Sequence, residues 1–292
     1  MGKIYFALFI FVFTSFFTSC KKEQTVPSYI YIPEIKVNSD YNLSGSNSSK
    51  IKNVKVYNGN ALIGVYELPV NVPVLGIGQA EIKCRALIED YNSSSNIMDY
   101  YFYNFSNNTV TLEEGKQDSI FPIVNYASSD FADYWFEDFE STGFAFAPGT
   151  NSNAPLVTTE DPAEIFQGTG SGEFVLLYDS SYSKYLTEEQ FNYNSTKAAF
   201  LEMNYKTNQD FFFSLILHSQ SGPDYKLPVF IFKSTVNESG EFLWDKIYIE
   251  LGSILVDFNN LQSFDICFEM ERDVTLSNSV VLIDNVKVIL SK

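Results

Sequence analysis

Residues 52–68, KNVKVYNGNALIGVYEL, hold two alternating apolar–polar runs on either side of Asn58-Gly59-Asn60. Alternation with a period of two is the pattern of a half-buried strand. Asn-Gly supplies the positive φ that a tight hairpin turn needs, so this stretch predicts a β-hairpin. Working outward, the same grammar repeats. IYIPEIKVN (30–38) precedes the hairpin, with Pro33 marking an edge position or a bulge because proline cannot donate to a ladder. LPVNVPVL (68–75), AEIKCRALI (80–88), YYFYNFS (100–106), TVTLEE (109–114) and SIFPIVNY (119–126) follow it. The 27 Phe and 19 Tyr, in a chain with few helix-favouring runs, make the expected class all-β.

The phrase NGNALIGVYELPVNVPVL, continued by GQAEIKCRALI, resembles the small PEGA and carboxypeptidase-regulatory-like, immunoglobulin-like β-sandwiches of secreted bacterial proteins. That resemblance implies a spacer or interaction module over residues 30–126. A polar link at ASSDFADY (127–134) leads to a second domain, 132–292. It opens with Tyr134-Trp-Phe-Glu-Asp-Phe-Glu140 and closes with Val280-Val-Leu-Ile-Asp-Asn-Val-Lys-Val288. FEDFE and LIDNVKV resemble the terminal strands of galactose-binding-like jelly rolls, the fold of many carbohydrate-binding modules. Between them EFVLLYD, FLEMNYKT, DFFFSLILHS, PVFIFKS, FLWDKIYIEL and SFDICFEME read as further strands of an antiparallel sandwich. The expectation is two β-sandwich domains, the second a jelly roll.

The other end of the chain sets the context. Lys3 precedes the apolar run Ile4–Phe13, and small or apolar residues continue to Thr18-Ser19-Cys20, the layout of a secretory signal peptide. The run is shorter than the roughly 20 residues that span a bilayer. Its end resembles the lipobox of bacterial lipoproteins, with Phe17 where Leu is usual. This implies a leader over 1–19, covalent lipid on Cys20 and a lipidated tether over 20–29. Lys21-Lys22-Glu23 partly resembles the export signal of Bacteroidota surface lipoproteins. The expected location is the outer membrane, lipid-anchored, at the cell surface.

A formal charge of −17 repels phosphate backbones and excludes nucleic acid as a partner. Cys84 and Cys267 lie in apolar strands far apart and read as separate buried thiols. With His218 as the only histidine, histidine-based zinc sites are excluded, and no G-x-S-x-G accompanies it. GTGSG (168–172) leads into a strand rather than a helix, so it is no phosphate loop. What remains is a non-catalytic binding or scaffold protein, for glycan or for a protein partner. The alternatives are an accessory subunit of an outer-membrane transport or assembly complex, or a glycoside hydrolase accessory. The jelly-roll resemblance implies a structural Ca2+ shared by Glu140 (or Glu137 and Asp138) and Asp284, with a carbonyl near Gly170–Gly172. For sugar contact, Tyr178, Tyr182 and Tyr185 sit in a stretch read as a surface loop, and Trp244 precedes a strand. Aromatic faces beside polar groups are what pyranose rings require.

Overall fold

The computed structural model describes residues 26–90, 96–194, 197–258 and 260–292. The leader, Cys20 and the lysine–acid signal lie outside the described residues. Within them the fold is all-β, with strands in several sheets and two four-residue helices, α1 (Tyr41–Ser44) and α2 (Gly252–Leu255).

The hairpin of residues 52–68 forms as β3 (Asn53–Asn58) and β4 (Ala61–Glu67), with Gly59 at φ +57° in the turn. β3 also pairs with β6 (Gly78–Asp90), the long strand of the first half, which carries β8 (Ser106–Leu112) and β7 (Asn96–Asp99) on its free edge. Against this sheet lies a smaller one, in which β1 (Ser28–Ile32) pairs with β5 (Val70–Val74) and β9 (Gln117–Ser119). Pro33 falls in the break between β1 and β2 (Lys36–Asn38), where no ladder bond is lost, and β2 pairs in parallel with β10 (Ile123–Asn125). Val54, Val56, Ile82, Cys84 and Val72 fill the space between the layers.

The second half is a two-layer sandwich. One sheet orders β13 (Leu156–Thr159), β14 (Ser171–Leu176), β22 (Ser279–Ser291), β17 (Ala199–Thr207) and β20 (Asp245–Glu250). β11 (Ala132–Glu137) also pairs with β22, so the opening and closing strands lie side by side. The facing sheet orders β12 (Phe146–Pro148), β15 (Tyr182–Thr187), β21 (Leu261–Glu271), β18 (Phe211–Ser219) and β19 (Tyr225–Phe232), with β16 (Phe191–Asn192) also on β21. Phenylalanines dominate between them. Phe211 stacks on Phe232 at 4.3 Å, and Phe213 and Phe268 pack beside that pair. Cys84 and Cys267 are separate, free and buried.

The halves meet on the outer face of β17, β20 and β22. Phe200, Tyr248 and Ile289 pack into the core of the first half, against Tyr100 and Phe102. Fully buried Glu202 lies in this seam, its Oε2 2.8 Å from Lys246 Nζ. Tyr100 and Tyr126 donate their hydroxyls to the same carboxylate. Lys287 Nζ sits 3.9 Å from the Tyr126 ring centre and donates to the Ser46 carbonyl. Such a network is acceptable in a core only because its polar atoms find partners.

Candidate functional site

The outer face of the second half's other sheet follows from strand register. On β18, Phe211, Phe213, Leu215 and Leu217 point into the core, so Phe212, Ile216 and His218 point away from it. On β21, Phe264, Ile266, Phe268 and Met270 point inward, leaving Ser263, Asp265 and Glu269 outside. Register then aligns these across strands. Lys184, Glu269, Phe212 and Ile231 form one row, and Asp265, Ile216 and Lys226 another. Neighbouring strands are about 4.8 Å apart, so the face is roughly two sugar rings wide.

Polar groups on this face are locked together. Lys226 and the Tyr182 hydroxyl both donate to Glu269. Burial alone would raise the pKa of Glu269, but these two donors outweigh it and hold the carboxylate below its usual range. His218 bridges two carboxylates, with Nε2 2.8 Å from Asp265 Oδ2 and Nδ1 2.8 Å from Asp224 Oδ1. A carboxylate at each ring nitrogen favours the protonated ring, in which both nitrogens donate. Burial opposes that charge, yet the hydrogen bonds and charges of Asp265 and Asp224 raise the His218 pKa. Both nitrogens are engaged by carboxylates. Ser263 donates to Gln190 Oε1 at 3.1 Å rather than to the histidine.

Gln190 also lines a cleft of about 370 Å³ at the open edge of the sandwich. Trp135 and Phe191 form its apolar wall, with Glu189, Asn192 and Lys197 among its polar residues. Trp135 is held edge-on by Phe191 at 5.4 Å and Phe146 at 5.8 Å. The cleft and the outer face therefore join at Gln190.

The four aromatic residues expected to contact sugar do not come together. Tyr182 is on the outer face, in β15 rather than in a loop. Tyr185, three residues on in the same strand, points inward and is 7% exposed, packed on Phe174 and Phe144. Its assignment as a ligand contact is corrected: period-two alternation turns it into the core. Tyr178 is 90% exposed before the strand begins and has no ring beside it among the described contacts. Trp244 is half-buried against Phe166 at 5.3 Å, with its indole N–H enclosed, and is a packing residue. Sequence reasoning missed Phe212, Lys226, Asp265, Glu269 and Gln190. The period-two geometry of DFFFSLILHS and SFDICFEME carried the signal for Phe212, Asp265 and Glu269, because it places every second side chain outward.

The carboxylates expected to share calcium are gathered at the far side of β22. Glu140 accepts from Thr169 N at 2.9 Å, from Thr169 Oγ1 at 2.8 Å and from Gly170 N. Asp284 accepts from Ser171 Oγ at 2.7 Å, from Asn285 N at 2.6 Å and from Gln167 N. Glu137 accepts from Phe139 N and Ala145 N, and Asp138 from the Tyr41 hydroxyl. Calcium takes six to eight oxygens with free lone pairs. Every one of these carboxylates already accepts from N–H or O–H donors, and no metal-holding group of three or more acids, histidines or cysteines stands among the described residues. The donor set fits a hydrogen-bonded clasp on the 167–171 turn. Gly168 makes that approach possible, since a Cβ there would lie 2.0 Å from Glu140 Oε1 and its φ is +74°. Burial, with the charge of Glu140 adding to it, pushes the Asp284 pKa up to about 7 against the pull of its three donors.

No family model matches the chain, and no curated protein matches it. Among solved structures it is similar to the CBM22-1 xylan-binding domain of Paenibacillus barcinonensis Xyn10C. The identity is 13% over 54% of this chain and 94% of that one, with a TM-score of 0.36. It is also similar to a family 29 carbohydrate-binding module complexed with mannohexaose, at 12% identity over 54% of this chain and 92% of that one, TM-score 0.34. A bacteriophage CBA120 tailspike enzymatic domain gives 11% identity over 52% of this chain and 20% of that one, TM-score 0.36. The fold itself stands on the strand pairings described above.

Proposed function

We propose that the protein is a lipid-anchored, non-catalytic glycan-binding protein of the outer membrane, displayed at the cell surface through Cys20. The carrying observation is the row Lys184–Glu269–Phe212–Ile231, with Tyr182 bonded into it. Two rings can cover the C–H faces of sugars while fixed charged groups take hydroxyls, the combination carbohydrate recognition requires. A face that continues at Gln190 into the Trp135 cleft suits an extended chain rather than a single sugar. Charged groups in mutual hydrogen bonds also make this a poor surface for burying a protein partner dry.

The test is titration calorimetry of the purified protein against a panel of soluble polysaccharides, alongside Phe212→Ala and Glu269→Gln. Phe212 is about half exposed, so its removal leaves the core intact. Each variant is expected to lose at least about tenfold in affinity, the equivalent of roughly 1.4 kcal/mol. Equal affinities in all three proteins would move the site elsewhere. Anchoring is read separately: Cys20→Ser should leave the membrane fraction and lose incorporation of a labelled fatty acid.

A further inference from the structure

The geometry points to a second membrane contact, made by protein rather than lipid: we infer that Leu75 and Ile77, with Val26 beside them, form an apolar foot that seats the first sandwich on the bilayer. This rests on the acylation of Cys20 proposed above.

Strand β5 ends at Val74, whose register partner is Ser28, so Leu75 stands where the chain enters the body. The turn Leu75-Gly76-Ile77 leads into β6 at Gly78, opposite Leu112. Gly76 and Gly78 have φ of +141° and +87°, and a Cβ on Gly76 would press on Leu112 at 3.2 Å. The backbone of the turn is thus held against the sandwich while its side chains are turned out. Leu75 is 63% exposed and Ile77 76%, with no polar side chain between them. Val26, 49% exposed, lies against Gly115, whose N–H donates to the Pro27 carbonyl. Glu113 and Lys116, ion-paired in the turn between β8 and β9, flank Gly115 and so give the Val26 side of the foot a polar border.

Single exposed apolar residues are ordinary on a protein surface. What commits this group to lipid is its position. Five residues separate Cys20 from Val26, and the six Cα–Cα steps between them span at most about 22 Å when fully extended. An acylated Cys20 therefore holds this end of the body near the membrane. The opposite end of β6 meets the second half, where Glu250 N donates to Asp90. Thirteen residues of β6 separate the two ends, about 40 Å of strand. Among the described residues, Leu75 and Ile77 form the exposed apolar turn that directly follows the strand paired with the chain's entry. An interfacial contact of this kind adds to an acyl anchor and fixes the tilt of what the anchor carries.

The experiment uses the full lipidated protein in phosphatidylethanolamine–phosphatidylglycerol vesicles, with an environment-sensitive fluorophore on Ile77→Cys. Cys84 and Cys267 are buried, so the label is site-specific. The control label is at Val274→Cys, exposed in the turn before β22, at the end of the second half away from the seam. With the Ile77 side chain seated about 5–10 Å into the headgroup boundary, a lipid-borne quencher should reduce that label's emission about threefold. The Val274 label should be unaffected. If the protein floats with the vesicles and both labels behave alike, the foot does not touch lipid and the inference fails while the anchor stands. An emission shift that grows with protein concentration and resists the lipid quencher would mean that copies pair through this turn, which also refutes it. If the lipidated protein does not float at all, anchor and foot fall together.

Discussion

Replacing Glu202 by glutamine tests whether the two sandwiches act as one body. Glu202 is the only carboxylate in contact with Lys246 and the two tyrosine hydroxyls of the seam among the described interactions. Burial would raise its pKa, but Lys246 and Lys287 outweigh burial and hold it ionised. The 2.8 Å pair is worth about 6 kcal/mol of gross attraction at an effective dielectric of roughly 20. Most of that offsets desolvation, so the informative quantity is the cost of breaking one side, about 3–5 kcal/mol. Glutamine keeps the shape and one acceptor but strands the Lys246 ammonium inside. Lys287, which burial already lowers to about 7, loses its nearby negative charge as well. In scanning calorimetry the wild type should melt in one transition. Glu202→Gln should lower it by roughly 10 °C, at about 2–4 °C per kcal/mol for a chain this size, and split it as the halves uncouple. Adding Lys246→Met should recover most of the loss, because removing both charges costs far less than removing one. A single transition moved by less than about 2 °C, the equivalent of about 1 kcal/mol or less, would refute the reasoning.

Asp284 gives a pH signature. Its folded pKa of about 7 lies above the unfolded value, so its stabilisation is complete below pH ~4 and is lost as pH rises to about 7. Urea titrations should show wild type losing up to about 4 kcal/mol relative to Asp284→Asn across that window, at 1.36 kcal/mol per unit, and a parallel dependence would refute it. The same residue decides the calcium question, since a bound cation would keep Asp284 ionised. With the Glu140 and Asp284 lone pairs taken by donors, adding calcium or EDTA is expected to leave the melting temperature within about 1 °C, whereas a bound ion would raise it by mass action.

The hairpin at Asn58-Gly59 was legible because its turn needs that chemistry. The strands of the second half were legible because short apolar or alternating runs stand between turn signals. The seam was not. FLEMNYKT alternates like a strand with one wet face, which puts Glu202 and Asn204 in water. In the structure every residue of β17 is buried, because the first sandwich covers that polar face. Nothing local to the strand announces a cover arriving from about 100 residues away. The Tyr178–Tyr185 stretch misled for a related reason. Its serines suggested a loop, while the strand that starts at Tyr182 sorts its tyrosines to opposite sides. Asp224 and Gln190 reach the outer face from segments flanking strands and leave no periodic trace.

The seam also removes a freedom that tethered modules normally keep. β11 begins at Ala132, already buried in the core of the first half, so no slack segment separates the modules. Under the proposed anchor and foot, copies on one membrane would hold their outer faces at a shared inclination instead of wandering independently. A long polymer bound by one copy, as proposed for the outer face, would then find the next already aligned. Gripping by several weak faces costs little additional ordering, and avidity can exceed the strength of any single contact.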